Sequence, residues 1–195
     1  MFYCIAKAIL RFLSMFVFRI KTVGKNNVIK EGGAIFAVNH RSCWDPVLVA
    51  LTSPRRLSFM AKSELFKNKL FAAIIKGLGA FPVHRGKGDI GAIKTALTIL
   101  NQGKIMMMFP EGKRVKDGEP IDIKPGIAMI AAHAKVPVVP VCITGKYHWL
   151  SRITVNYGEP VYLDEYYDER LSVEKLQEIS TSLMNRVYAL GKAEK

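Results

Sequence analysis

Residues 34–46, Ala-Ile-Phe-Ala-Val-Asn-His-Arg-Ser-Cys-Trp-Asp-Pro, constrain the fold more than any other stretch. The apolar, partly β-branched run Ala34–Val38 reads as a buried strand that breaks off at Asn39 and His40, where polar side chains arrive together. A helix is expected to open with Pro46 at its first position, where a missing N–H is harmless, and with Asp45 as its cap. His40 and Asp45 then flank one tight strand-to-helix turn. At that separation a carboxylate accepts from one imidazole nitrogen, fixes the tautomer and leaves the other nitrogen as a general base. Ser42 and Cys43 lie in the same turn but lack a nucleophile-elbow context, so His40 is expected to activate a substrate hydroxyl directly. Taken alone, the pair also fits a turn histidine beside an ordinary helix cap.

The same strand and helix alternation recurs along the chain. Strands are expected at Phe18–Val23, Arg56–Ala61, within 77–86, and at Lys104–Phe109, Val136–Ile143 and Ile153–Tyr157. Helices are expected after Pro46 to Thr52, from a Ser63 cap to Lys76, from the glycines at 86–91 to Asn101, from Pro125 to Lys135 and from a Ser172 cap to Leu190. This order implies one α/β domain over residues 21–195, with a mostly parallel or mixed sheet flanked by helices. The three consecutive methionines from Met106 to Met108 read as core filler. Pro137 and Pro140 suggest that Val136–Ile143 is an edge or bulged strand rather than a central one. No internal repeat or low-complexity linker interrupts the pattern.

Charge narrows the partners. Of the 195 residues, positions 1–158 hold 24 basic and 8 acidic groups, against 5 and 8 in 159–195, so the half with the His-Asp turn is the cationic half. Such a field favours phosphate-bearing partners: nucleic acid, an anionic membrane surface or a small phosphorylated substrate. The first 20 residues are rich in aromatic and aliphatic side chains but are interrupted by Lys7, Arg11 and Arg19, and no cleavage site follows. They fit a helix lying in a membrane interface better than a spanning helix or a signal peptide, with a helix packed on its own core as the alternative. Residues 63–76 show a second basic amphipathic pattern, either a core stripe with a solvated basic face or another membrane contact. Three scattered cysteines, Cys4, Cys43 and Cys142, suggest a reducing compartment and packing roles. His133 and His148 read as helix-surface and loop histidines, and neither His-Glu-x-x-His nor clustered cysteines with metal-ligand spacing are present.

Two further loops carry chemistry. Gly79-Ala80-Phe81-Pro82-Val83-His84-Arg85 runs into Gly86, Gly88 and Gly91, so backbone N–H groups and the Arg85 guanidinium converge where an anion fits; the glycines have neither Walker A nor G-x-G-x-x-G spacing. Phe109-Pro110-Glu111-Gly112-Lys113-Arg114 puts opposite charges, Glu111 and Arg114, at a strand's carboxyl end, where α/β sheets place their sites. By itself this also fits a salt-bridged turn.

These blocks, in order, resemble those of the glycerolipid acyltransferase family, its lysophosphatidate-specific branch in particular. Residues 39–46 look like the family's His-x4-Asp motif, and 79–85 like the block whose last Arg binds the acceptor phosphate, with His84 where an acidic residue is common. Residues 109–114 resemble Phe-Pro-Glu-Gly-Thr-Arg with Lys113 in place of Thr, and 136–141 resemble the Val-Pro-Ile-Val-Pro block bordering the acyl site. Ala61-Lys62-Ser63-Glu64-Leu65 is similar to the Lys-x-Glu-Leu segment whose Lys contacts phosphate.

The resemblance implies transfer of a fatty acyl group, from an acyl carrier protein or coenzyme A thioester as co-substrate, to the sn-2 hydroxyl of lysophosphatidic acid, without a metal or cofactor. His40 would be the base and Asp45 its orienter. Lys62, Arg85 and Arg114 would hold the phosphate, with Glu111 and Gly112 in the acceptor and oxyanion region. The expected location is peripheral, on the cytoplasmic side of the cell membrane. The short chain favours lysophosphatidate over glycerol 3-phosphate or another lysolipid as acceptor. Outside the enzymes, a membrane-surface scaffold or a nucleic-acid binder would use the same charge; for the latter, no recognition helix or aromatic and basic interleaving is present.

Overall fold

The computed structural model describes residues 2–83, 89–116 and 119–192. A helix, α1 (Phe2–Met15), leads into β1 (Phe18–Val23). There follow β2 (Ala34–Val38), α2 (Asp45–Thr52), β3 (Leu57–Lys62), α3 (Lys69–Gly77), β4 (Ala80–Val83), α4 (Ile90–Asn101) and β5 (Ile105–Met108). The chain closes with α5 (Gly126–Ala134), β6 (Val138–Gly145), β7 (Ser151–Tyr157) and α6 (Val173–Lys192). The strands form one sheet in the order β1-β7-β6-β2-β5-β3-β4. All neighbours are parallel except β6 and β7, so β1 and β7 run against the other five strands. The expected α/β domain with a mostly parallel, mixed sheet is the fold observed.

Strand β2 is the centre of that sheet, with all five residues fully buried. Its alternation divides two cores: Ile35 and Ala37 face α4, α5 and α6, whereas Ala34, Phe36 and Val38 face α2 and Tyr157. Met106 and Met107 of β5 are buried as well, one on each face. Because β2, β3, β4, β5 and β6 are parallel, their carboxyl ends share one edge of the sheet. The segments that follow β2, β5 and β6 meet there.

Some local expectations are corrected. Strand β6 is internal, between β7 and β2, despite Pro140. The missing N–H of Pro140 falls where β7 has just ended: the chain bulges through Gly158, Glu159 and Pro160 before Val161 bridges to Val138, and Pro140 O accepts from Gly158 N. Helix α3 starts at Lys69 rather than Ser63, because Asn68 Oδ1 accepts from Phe71 N and so supplies the cap; residues 63–66 form a 3-10 turn. Along residues 63–77 the apolar stripe is not core: Leu65, Leu70, Phe71 and Ile74 are exposed and only Ala72 is buried. Cys43 is exposed rather than packed, whereas Cys142 is buried. His133 and His148 do lie on a helix surface and in a loop. No helix of the described residues is long and apolar enough to cross a membrane.

Candidate active site

The site is built on the end of β2. Asn39 is buried, and its side-chain amide prolongs the pairing with β6, donating to Ile143 O (3.0 Å) and accepting from Ile143 N (2.7 Å). The next residue, His40, is held through its backbone by the loop after β5: its N–H donates to Glu111 Oε2 (2.7 Å) and its carbonyl accepts from Val115 N (2.8 Å). The imidazole stacks on the Phe109 ring, centroids 4.1 Å apart, and Nδ1 lies 2.9 Å from Asp45 Oδ2.

Asp45 is fully buried and does not cap α2 as expected. Its carboxylate turns back over the loop, where Oδ2 also accepts from Arg41 N and Ser42 N (both 2.7 Å), and Oδ1 accepts from Tyr147 Oη (2.5 Å). With donors on both oxygens the carboxylate acts as an acceptor, so Nδ1 donates to it and Nε2 is left with a free lone pair. Burial, then the Asp45 charge and hydrogen bond, push the Tyr147 phenol far above its ordinary range, so it remains a donor. Ser42 Oγ accepts from Trp44 N (3.3 Å).

The His40 ring borders an open cleft of about 620 Å³ whose walls include Phe59, Phe109 and the cations Arg41, Lys62, Lys113, Arg114 and Lys116. Lys62 arrives from the end of β3 and Arg114 from the loop after β5, so three of the expected site positions meet at one cleft. Arg85 and His84 lie outside the described residues. The salt-bridged turn is not formed. Glu111 is 4% exposed, and its carboxylate takes His40 N and Tyr188 Oη (2.6 Å, from α6) rather than Arg114. Gly112 sits in the left-handed region (φ 66°) and its N–H donates to Phe109 O (3.0 Å), closing the turn that points Glu111 inward. Among the described residues no group of three or more His, Cys, Asp or Glu could hold a metal ion.

Tyr147 and Tyr188 escaped the sequence reading. Each lies about 75 or more positions from the carboxylate it holds, and no local pattern marks a lone tyrosine as a partner of a distant loop. Burial raises the Glu111 carboxyl above its ordinary range, opposed by the Tyr188 and His40 hydrogen bonds, which favour the ion. A raised folded value means that the group's share of stability is full at low pH and is lost as pH rises through that value. Tyr188→Phe removes one of the two donors, so the buried anion becomes dearer. The variant is expected to lose about 1–3 kcal/mol at pH 8 and less at pH 5, because burial favours the protonated carboxyl and protonation relieves the charge as pH falls. Thermal unfolding of both proteins at both pH values checks this; an equal loss at the two would assign the effect to packing alone.

The acyltransferase family model matches residues 19–144. A 1-acyl-sn-glycerol-3-phosphate acyltransferase of Streptococcus pneumoniae is 32% identical over 168 residues, 83% of this chain but only 61% of that protein. One from Bacillus subtilis is 29% identical over 177 residues, 88% of this chain and 87% of that one. The crystal structure of the 1-acyl-sn-glycerophosphate (LPA) acyltransferase of Thermotoga maritima has the same fold, with a TM-score of 0.74 at 24% identity over 98% of this chain and 79% of that one. Since the matched span runs from β1 almost to the end of β6 and takes in the loops bearing His40, Asp45, Lys62, Glu111 and Arg114, the chain belongs to the acyltransferase family.

Proposed function

We propose that the protein transfers a fatty acyl group from an acyl thioester to the sn-2 hydroxyl of 1-acyl-sn-glycerol 3-phosphate, giving phosphatidic acid. The observation that carries this reading is the buried Asp45 fixing His40 so that Nε2 is the free base at a cleft rimmed by cations. Nε2 takes the hydroxyl proton as the oxygen attacks the thioester carbon, and Asp45 stabilises the imidazolium that forms. The tetrahedral intermediate collapses with cleavage of the C–S bond, and the imidazolium returns its proton to the departing thiolate. Lys62 and Arg114, with Arg85 by its place in the sequence, hold the acceptor phosphate. Glu111 and Gly112 act by setting the loop behind His40.

The donor is an acyl carrier protein or coenzyme A thioester. Helix α1 lies in the membrane interface, with Ile9, Phe12 and Phe16 exposed and Arg11 exposed on the same helix, on the cytoplasmic side. In this reading the protein is peripheral, and residues 21–195 make up the transferase domain. The test is release of free thiol from an acyl thioester by the purified protein. Release is expected only when lysophosphatidate is present, and Cys43→Ser should be as active as the parent. Thiol release without acceptor, or an acyl group trapped on Cys43, would defeat direct transfer.

A further inference from the structure

We propose that the turn between β6 and β7, Lys146–Leu150, is a second membrane-docking element, which seats Trp149 and Leu150 in the interface of an anionic bilayer beside the end of α1. The inference rests on the lysolipid reading above and goes beyond it by adding a contact outside the N-terminal helix. Trp149 is 74% exposed and Leu150 is 46% exposed. Single exposed hydrophobics are ordinary; here they adjoin others. Leu150 N donates to Val17 O (2.8 Å), which brings the turn against the chain just after Phe16, itself 55% exposed and stacked edge-on with Phe12.

The turn is also built rather than loose. Ser151 Oγ lies within hydrogen-bond reach of both Lys146 O and His148 O. Leu150 holds φ 55°, a left-handed backbone that a branched side chain adopts only under strain and that glycine or asparagine would occupy more readily. A strained, water-facing leucine beside a water-facing tryptophan is poorly explained by folding alone. Seated among lipid headgroups, both side chains gain an apolar environment, and the indole N–H keeps a polar partner.

Charge and position select the occupant. No acidic residue occurs in 1–30 or in 123–158, whereas Lys146, Arg152 and Arg19 are exposed around the turn, Arg19 and Arg152 being paired across β1 and β7. A cationic ring around exposed aromatic and aliphatic tips matches an anionic lipid surface. The end of β6 and the start of β1 share the sheet edge that carries the His40 cleft, because β1 runs against β6. Docking there turns the cleft toward the layer that holds the acceptor.

The experiment compares the full chain with Trp149→Ala, Leu150→Gly and the double variant, by co-sedimentation with vesicles of equal parts phosphatidylglycerol and phosphatidylcholine. Tyr162→Ala, which removes an exposed aromatic near the opposite sheet edge, is the reference. The double variant is expected to partition at least about tenfold less onto vesicles, and Tyr162→Ala to behave as the parent. Transfer to lysophosphatidate in vesicles should fall in step, with transfer to a soluble short-chain lysophosphatidate unchanged. In Trp44→Phe, Trp149 is the only indole and should be quenched by brominated phosphatidylcholine. Parent-like partitioning of the double variant with unquenched Trp149 would overturn the proposal, whether the turn is then free or meets a protein. Equal losses on both acceptors would also overturn it, since they would mean that the turn serves the fold. Vesicle binding reads the turn even if no thioester is consumed, so its failure is separable from failure of the acyltransferase reading.

Discussion

His40→Ala lowers acyl transfer to lysophosphatidate by about 10²–10⁴-fold, or to background, while the chain still folds cooperatively. The activity loss follows from removing the base. The fold survives because the backbone of residue 40 keeps its bonds, N–H to Glu111 and carbonyl to Val115 N, while loss of the Phe109 stacking and of the bond to Asp45 costs about 1–3 kcal/mol. Asp45→Asn should also lose activity, by about 10²-fold or more, and for a different reason. An asparagine oxygen placed where Oδ2 lies can still accept from Arg41 N and Ser42 N. Its NH2 can donate to Tyr147, whose hydroxyl is free to turn. The loop therefore survives, and what disappears is the charge that orients Nδ1–H and balances the imidazolium. Asp45→Ala, by contrast, strands two backbone N–H groups, and unfolding should detect it. Rates for all three variants alongside their melting curves separate these cases; near-normal turnover by His40→Ala would remove the proposed mechanism.

The parts of this site that could be read from the sequence are those set by local rules. Ala34–Val38 is apolar at every position, which only a strand covered on both faces tolerates, and the polar break at Asn39 marks where that cover ends. His40 and Asp45 are five positions apart on either side of a tight turn, so their contact needs no knowledge of the rest of the chain. The readings that failed all depended on what lies across from a residue. Pro140 argued for an edge or bulged strand because a lost donor is costly when a neighbour waits for it; the strand is internal, and the neighbour bulges away at that point. Asp45 looked like a cap, but His40, Tyr147 and two loop amides compete for its oxygens and win. Glu111 was set beside Arg114 by sequence proximity, yet Tyr188, from a helix 77 positions away, takes one oxygen and His40 N the other. The stripe at Leu65, Leu70 and Ile74 has the period of a core face, and periodicity does not say whether protein or lipid covers it.

Arg114→Ala and Lys62→Ala are each expected to lower transfer to lysophosphatidate by about tenfold to a hundredfold, and transfer to monoacylglycerol far less. A charge-assisted bond to phosphate is worth about 1.5–3 kcal/mol, which sets that range, and monoacylglycerol offers no phosphate to hold. Both cations rim the His40 cleft and both are exposed, so in the free protein they cost the fold little to lose. A supporting role for Arg114 through Glu111 is no longer available to explain a loss, because that carboxylate is bonded to His40 N and Tyr188 Oη. The melting temperature of Arg114→Ala should accordingly match the parent's. Arg85→Ala, whose position falls outside the described residues, enters the same comparison on its place in the sequence. Lysine in place of Arg114 should recover only part of the activity, since it keeps the charge but not the planar fork that fixes a phosphate's direction. That direction matters because the hydroxyl must arrive within hydrogen-bond reach of Nε2, a phosphate and a glycerol carbon away from the cation that anchors it. If Arg114→Ala and Lys62→Ala lost the same proportion of activity on both acceptors, these residues would not be clamping phosphate, and the cations of the cleft would have to be assigned to the acyl donor instead.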